Sequence, residues 1–234
     1  MTDQINHECG ISFLHLKKPI EFYRKKYGNS LYGIDKMYLL MEKQHNRGQD
    51  GVGLANIKLD LDAGKRYISR KRSVSTNPLQ DVFQQVNKRF IELEKEAPER
   101  LKNPEWMKEN LPFTGELFLG HLRYGTFGGN TIEQCHPFLR QNNWKTRNLA
   151  LAGNFNMTNV DELFQELLDL GQHPKEMADT VTILEKIGHF LDEANDAIYY
   201  KHKDNFSKKE ITKIIEDELD LQEILIQSAK HWDG

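Results

Sequence analysis

Cysteine is scarce in this chain. Two in 234 residues leave no disulfide scaffold and no tetracysteine metal or iron–sulfur site within it. They fit a reducing, cytoplasmic setting in which each thiol needs its own explanation. No apolar run approaches the ~20 residues of a membrane-spanning helix, and none sits at the N-terminus as a secretory signal would. Net charge is nearly absent as well. The 32 Lys and Arg against 35 Asp and Glu leave −3, without the long-range field by which a nucleic-acid or membrane-surface binder recruits its partner. Neither the phosphate-cradling G-x-x-x-x-G-K-[ST] pattern nor a G-x-G-x-x-G fingerprint occurs. Apolar residues, 38% with a mean hydropathy of −0.69, are fewer than in an average domain. Part of the chain is therefore expected as solvated helix.

There is no internal repeat. Met1 to Glu8 is polar and unpatterned, and the apolar run Ile11–Leu16, stopped at Lys17-Lys18-Pro19, predicts a buried strand. Ile34, Met37, Tyr38 and Met41 share one helical face, and Asn46–Gly51 reads as a tight glycine loop. Strand pattern resumes over Val52–Leu61. Between Gln80 and Asn110 one apolar helical face (Val82, Phe83, Val86, Phe90, Leu93) sits among dense charge, which predicts a solvated helical excursion on the domain surface. Leu117 to Tyr124 alternates as a strand, with Leu117, Leu119, His121 and Arg123 on one side. Asn148–Ala152 is a second apolar strand. Thr158 is the expected N-cap of a helix carrying Val160, Leu163, Phe164, Leu167 and Leu168 inward. Helices follow over Asp179–Leu191, Lys208–Leu219 and Leu221–Lys230. Intermixed strands and helices with glycine loops at strand ends predict an α/β or α+β sandwich.

Four groups of residues could carry chemistry, each with a plainer structural explanation beside it. Cys9, directly before a strand, is either a small core residue or a nucleophile with an unencumbered neighbour in Gly10. Arg123 on a strand either snorkels to solvent or awaits an anion, because burying a guanidinium unpaired is costly. Gly153-Asn154-Phe155-Asn156 ends an apolar strand. It is either a helix-capping turn or an oxyanion cradle of fixed donors. Asp179 is either a first-turn acid at a helix N-terminus or a carboxylate for a ligand ammonium. A Cys2His2 metal site from His7, Cys9, Cys135 and His136 lacks the usual spacer between paired ligands, so no metal is expected.

Taken jointly and in order, these motifs resemble a class II (N-terminal-nucleophile) glutamine amidotransferase domain. The residues that carry the resemblance begin with Cys9-Gly10-Ile11 and the block Gln44-His45-Asn46-Arg47-Gly48-Gln49-Asp50-Gly51-Val52-Gly53. They continue with Gly120–Thr126, His136-Pro137-Phe138, Leu151–Asn159 and Ala178-Asp179-Thr180, and run from Cys9 to about Leu191 apart from the Gln80–Asn110 excursion. The Gln-His-Asn-Arg-Gly-Gln-Asp block, with its inserted Asn46, points to the branch that supplies ammonia to phosphoribosyl pyrophosphate in purine synthesis. The resemblance implies an α+β, N-terminal-nucleophile hydrolase-type αββα sandwich, truncated at its C-terminus. Residues 1–8 would be a propeptide and 9–234 the glutaminase domain.

The roles implied are those of glutamine amide hydrolysis. Cys9 is the nucleophile and its own freed α-amine the base, which is sensible because an α-amine near 7.7–8.0 and a thiol near 8.5 exchange a proton almost evenly. Asn154 and the Phe155 N–H stabilise the oxyanion, Arg123 forks the substrate carboxylate, Asp179 takes its ammonium, Arg47 lies near the nucleophile and Thr126 lines the pocket. The family usually reads His-Asn-Gly-Asn where this chain has Gly153-Asn154-Phe155-Asn156, so Phe155 would be strained by roughly 1–2 kcal/mol if its φ had to be positive. No cofactor is implied for this chain, Mg being needed only with the phosphoribosyltransferase domain that family members carry beyond the point where this chain stops, Trp232-Asp233-Gly234. L-glutamine, that absent domain and a homo-oligomer are the implied partners, with no nucleic acid and no membrane. A non-catalytic glutamine-binding or scaffolding module, or an N-terminal-nucleophile amidotransferase with another acceptor, remains an alternative.

Overall fold

The computed structural model describes residues 8–125 and 131–234, which divide into two compact units. The leader residues 1–7 and the loop 126–130, including Thr126, lie outside the described residues. Both units combine antiparallel strands with helices, so the fold is α+β as expected. Among the described residues no helix is long and apolar enough to cross a membrane.

The first unit, residues 8–137 with 152–154, is built on a four-stranded antiparallel sheet. Its strands are β1 (Gly10–His15), β2 (Gly51–Ile57), β3 (Ile68–Ser73) and β4 (Leu117–Arg123), in the order β1-β4-β2-β3. Helix α1 (Ile20–Tyr27) ends at Gly28, whose φ of 75° only glycine adopts freely. Helix α2 (Tyr32–Glu42) buries Ile34, Met37 and Met41, as its 3.6-residue period dictates. Helix α3 (Pro78–Glu96) buries Val82, Phe83, Val86, Phe90 and Leu93. These faces pack with Leu54, Phe118 and Leu122 of the sheet into one core. Each large side chain so buried contributes about 1.5–3 kcal/mol. The segment expected as a solvated excursion is therefore half core: its charges face water, and its apolar stripe roofs the sheet. Helix α4 (Pro104–Asn110) follows, capped by the Asn103 side chain.

Strand β2 stops at Ile57 rather than continuing to Leu61, because Asp60 takes a left-handed φ of 51°. Strand β3 was not expected. Its Arg70-Lys71-Arg72 centre hides the alternation, and the residues it buries are the small polar Ser69 and Ser73.

The second unit, residues 138–151 with 155–234, pairs β5 (Phe138–Arg140) with β6 (Leu149–Leu151). Its helices are α5 (Val160–Asp169), α6 (Asp179–His202), α7 (Lys208–Glu218) and α8 (Leu221–Ala229). Ile183, Ile187 and Leu191 of α6 and Ile224 of α8 form its core, with Leu149, Leu151 and Phe155 against it. Helix α6 runs eleven residues past the expected end, and in that extension the fully buried Asn195 donates to Leu191 O and accepts from Thr146 Oγ1. Helix α5 differs from expectation at its start. Its N-cap is Asn159, and Thr158 instead donates to Asp233 Oδ2 at 2.7 Å. Leu163 and Leu167 point inward, whereas Leu168 is exposed.

Candidate functional site

The chain end of β4 collects most of the singled-out residues of the first unit. Register pairs Gly10 with Leu122 and Ile11 with His121. Cys9, one residue before β1, is thereby brought to the end of β4, where the Tyr124 N–H points at Cys9 Sγ at 3.5 Å. Cys9 is half-buried and Cys135 buried, and both are free thiols. Only the first has an open side, so the core-cysteine explanation suits Cys135 and not Cys9.

The block from Gln44 to Gly53 wraps this end for steric and hydrogen-bonding reasons. Gln44 Nε2 donates to Ile11 O and Ser12 Oγ at 3.1 and 2.8 Å, pinning β1. A Cβ on Gly48 would lie 2.5 Å from Leu122 O, so only glycine lets the loop approach β4. The Asp50 N–H donates to Arg123 O at 3.0 Å, and Asp50 Oδ2 accepts from the Gly125 N–H at 2.7 Å. Arg47 lies beside the residue preceding Cys9, its Nη1 3.7 Å from Glu8 Oε2, with both side chains more than half exposed.

Arg123 is 9% exposed, so it does not snorkel. Its Nη2 donates to Gln134 Oε1 at 2.8 Å, a neutral acceptor in the turn Ile132–Gln134. A guanidinium in this setting gains from a carboxylate more than it would in water.

Sequence reasoning missed Arg70 and Arg72, and it quoted His121 and His136 in motifs without giving them a part in the site. Arg72 of β3 donates to Cys135 O at 3.0 Å and Glu133 O at 3.3 Å, and Arg70 donates to Pro137 O at 3.1 Å. These bonds draw residues 133–137 across the sheet. His136 O passes so close to β2 that a Cβ on Gly53 would sit 1.8 Å from it. Gly53→Ala is expected to cost about 2–3 kcal/mol, at the upper end for overpacking, read as a lower urea midpoint at unchanged slope.

The seat that Gly53 leaves places the His136 ring on the His121 ring, with centroids 4.3 Å apart and planes 19° from parallel. Gly153, the buried residue before Asn154, lies at their edge. Its N–H donates to His136 Nδ1, and its carbonyl meets His121 Nε2, each at 3.2 Å. Burial pushes both imidazoles down, His121 to about 4 and His136 to about 3, and the Arg123 guanidinium adds to both. Both rings are neutral at pH 7, whereas an unfolded histidine titrates near 6.5. As pH falls below 6.5 the unfolded chain takes up protons that the fold refuses. Stability therefore drops with pH and levels off below the folded values. Each ring is expected to withdraw about 1.5 kcal/mol between pH 6.5 and 5, seen as a falling urea midpoint. A flat profile would contradict these buried neutral states.

Asn154 itself is exposed, in the first unit. Phe155 belongs to the second unit, where it packs on the α6–α8 core. Among the described residues the non-glycine positions with positive φ are Asp60 and Phe113, not Phe155, so the departure from the family's glycine stores no backbone strain at this position. Asp179 is the first residue of α6 and half-buried. Ala178 is the N-cap, and Asp179 Oδ2 accepts the Met157 N–H at 3.0 Å.

No family model matches the sequence. The amidophosphoribosyltransferase of Bacillus subtilis is 37% identical over 193 residues, 80% of this chain and 30% of its own length. That of Methanocaldococcus jannaschii is 28% identical over 159 residues, 68% of this chain and 25% of its own. A solved glutamine phosphoribosylpyrophosphate amidotransferase from B. subtilis, complexed with ADP and GMP, covers 97% of this chain and 33% of its own at 18% identity and a TM-score of 0.49. The chain thus spans about a quarter to a third of these relatives.

Proposed function

Because the chain is a glutamine amidotransferase domain of the amidophosphoribosyltransferase family, we propose that it hydrolyses the side-chain amide of glutamine, with Cys9 as nucleophile. The observation that carries this is the convergence at one end of β4 of an open-sided thiol and a buried arginine, with the Gly153-held Asn154 in the same unit. Phe155 and Asp179 enter the proposal through the resemblance of their motifs to those of the family.

Cys9 acts as residue one of the mature protein, residues 1–8 being a propeptide. An amide nitrogen is no base, and only the freed α-amine takes the thiol proton near neutrality. Glu8 is exposed beside Arg47, which leaves the Glu8–Cys9 bond reachable. Glutamine lies with its α-carboxylate in the Arg123 fork and its ammonium on Asp179. The thiolate attacks the amide carbon, and the developing oxyanion is met by the Asn154 side chain and the Phe155 N–H. The amine's proton leaves with ammonia, and water then cleaves the glutamyl thioester to glutamate. The ammonia serves the amination of phosphoribosyl pyrophosphate, on a phosphoribosyltransferase domain outside these residues, in purine synthesis. That domain, with its Mg, and a homo-oligomer are the partners proposed.

The test is release of glutamate and ammonia in equal amounts from glutamine by the mature chain. Tight glutamine binding without either product would make it a binding module instead.

A further inference from the structure

Gly153 has both backbone polar atoms taken by histidine side chains, although a loop residue ordinarily finds backbone or water partners. The two rings are stacked, one from β4 and one from the segment that Arg70 and Arg72 hold over the sheet. We infer that His121 and His136 form a clamp on Gly153 and are positioning residues for the oxyanion donor Asn154, which rests on the glutaminase assignment above.

The tautomers follow from the bonds. Gly153 N–H needs an acceptor, so His136 Nδ1 carries a lone pair and its proton sits on Nε2. Gly153 O needs a donor, so His121 carries its proton on Nε2. His121 Nδ1 is then a buried lone pair with no hydrogen-bond partner among the described residues. Such an unsatisfied atom is costly, and its persistence is explained if the ring's orientation is set by the Gly153 contact. The charged groups facing the pair are Arg123 and Arg72, with the rings also facing each other. Each disfavours protonation, so the acceptor at His136 Nδ1 is kept at neutral pH.

The clamp supplies what a loop-borne oxyanion donor lacks. Asn154 is exposed and follows Gly153 directly. With Gly153 fixed at both atoms, the Asn154 Cα starts from a set position and direction. A displacement of about 1 Å at a reacting centre costs about 10²-fold in rate. The glycine at 153 also leaves the rings room to meet the backbone itself.

The chemistry dictates a crossed test. An asparagine amide overlays imidazole Nδ1, and a glutamine amide overlays Nε2. His136→Asn therefore keeps the acceptor and His136→Gln loses it, whereas His121→Gln keeps the donor and His121→Asn loses it. In the mature chain, the losing variant at each position is expected to drop kcat for glutamate release about 10²-fold with glutamine KM within about twofold. The keeping variant recovers to within about fivefold of wild type. The Gly153 amide, followed by NMR hydrogen exchange, becomes at least about tenfold less protected in His136→Gln and not in His136→Asn. Equal kcat for the two variants at either position, or unaltered Gly153 protection in His136→Gln, overturns the clamp. A wild-type chain without Cys9-dependent glutamate release overturns the glutaminase assignment, and with it the positioning role, and Gly153 protection lost in His136→Gln would then mark a clamp that is structural only.

Discussion

Cys9→Ala is expected to lower glutamate release by at least about 10⁴-fold, the scale on which nucleophile deletions act, and to leave the urea midpoint nearly unchanged. The two expectations come from the same geometry. The thiol is half-buried, lies at the mouth of the β1–β4 pair, and touches the Tyr124 amide rather than the core, so its loss leaves no large cavity. The same loss of rate is expected when the thiol is kept and the amine is not, for example in a chain whose Glu8–Cys9 bond is made uncleavable. A serine at position 9 separates the two contributions. It retains the amine, but its hydroxyl is far harder to deprotonate than a thiol near 8.5, and turnover stays low. Glutamate release that persists in Cys9→Ala would place the nucleophile elsewhere.

Asn154→Ala carries the second large effect. An oxyanion donor is worth about 10²–10³ in kcat, or roughly 2.7–4 kcal/mol, because it acts on charge that exists only in the transition state. Glutamine KM should move little, since the substrate's head is held by Arg123 and Asp179 in the proposed site. Stability should move little as well, since the Asn154 side chain is exposed and the anchoring bonds belong to Gly153. A rise in KM with kcat intact would make Asn154 a ground-state binding group. A large loss of stability would make it a structural turn residue, the plainer explanation of the same four-residue stretch.

Much of this was legible in the chain because the motif residues have steric or hydrogen-bonding duties that few alternatives meet. Gly48 and Gly53 sit where a Cβ would strike the backbone of β4 or of His136, and Gln44 and Asp50 hold main-chain groups of β1 and β4. The period of α2 announced its buried face. What escaped notice has physical reasons too. Strand β3 buries Ser69 and Ser73 and half-buries Arg70 and Arg72, so its two-residue period is polar against polar, and Arg70 and Arg72 use their charge on carbonyls of the 133–137 segment. Composition made α3 look solvated, because charge on one face says nothing about what the opposite stripe covers. Strand β2 ends three residues before Asp60 and its left-handed φ, and the added turns of α6 hold Asn195, whose contact with Thr146 no local pattern reveals. Thr158 had the chemistry of an N-cap, but its hydroxyl was taken by Asp233, far along the chain. His121 and His136 stood in the quoted motifs without a role, since their stacking depends on a register and a crossing that only the fold provides.

The most direct measurement is the intact mass and peptide map of the purified protein after exposure to an electrophilic glutamine analogue. The account predicts a chain lacking Met1–Glu8 that carries one adduct, on the thiol of an N-terminal Cys9, with labelling blocked by excess glutamine. A chain that retains those eight residues and still turns over glutamine, or a labelled Cys135 beside an unmodified Cys9, would contradict it.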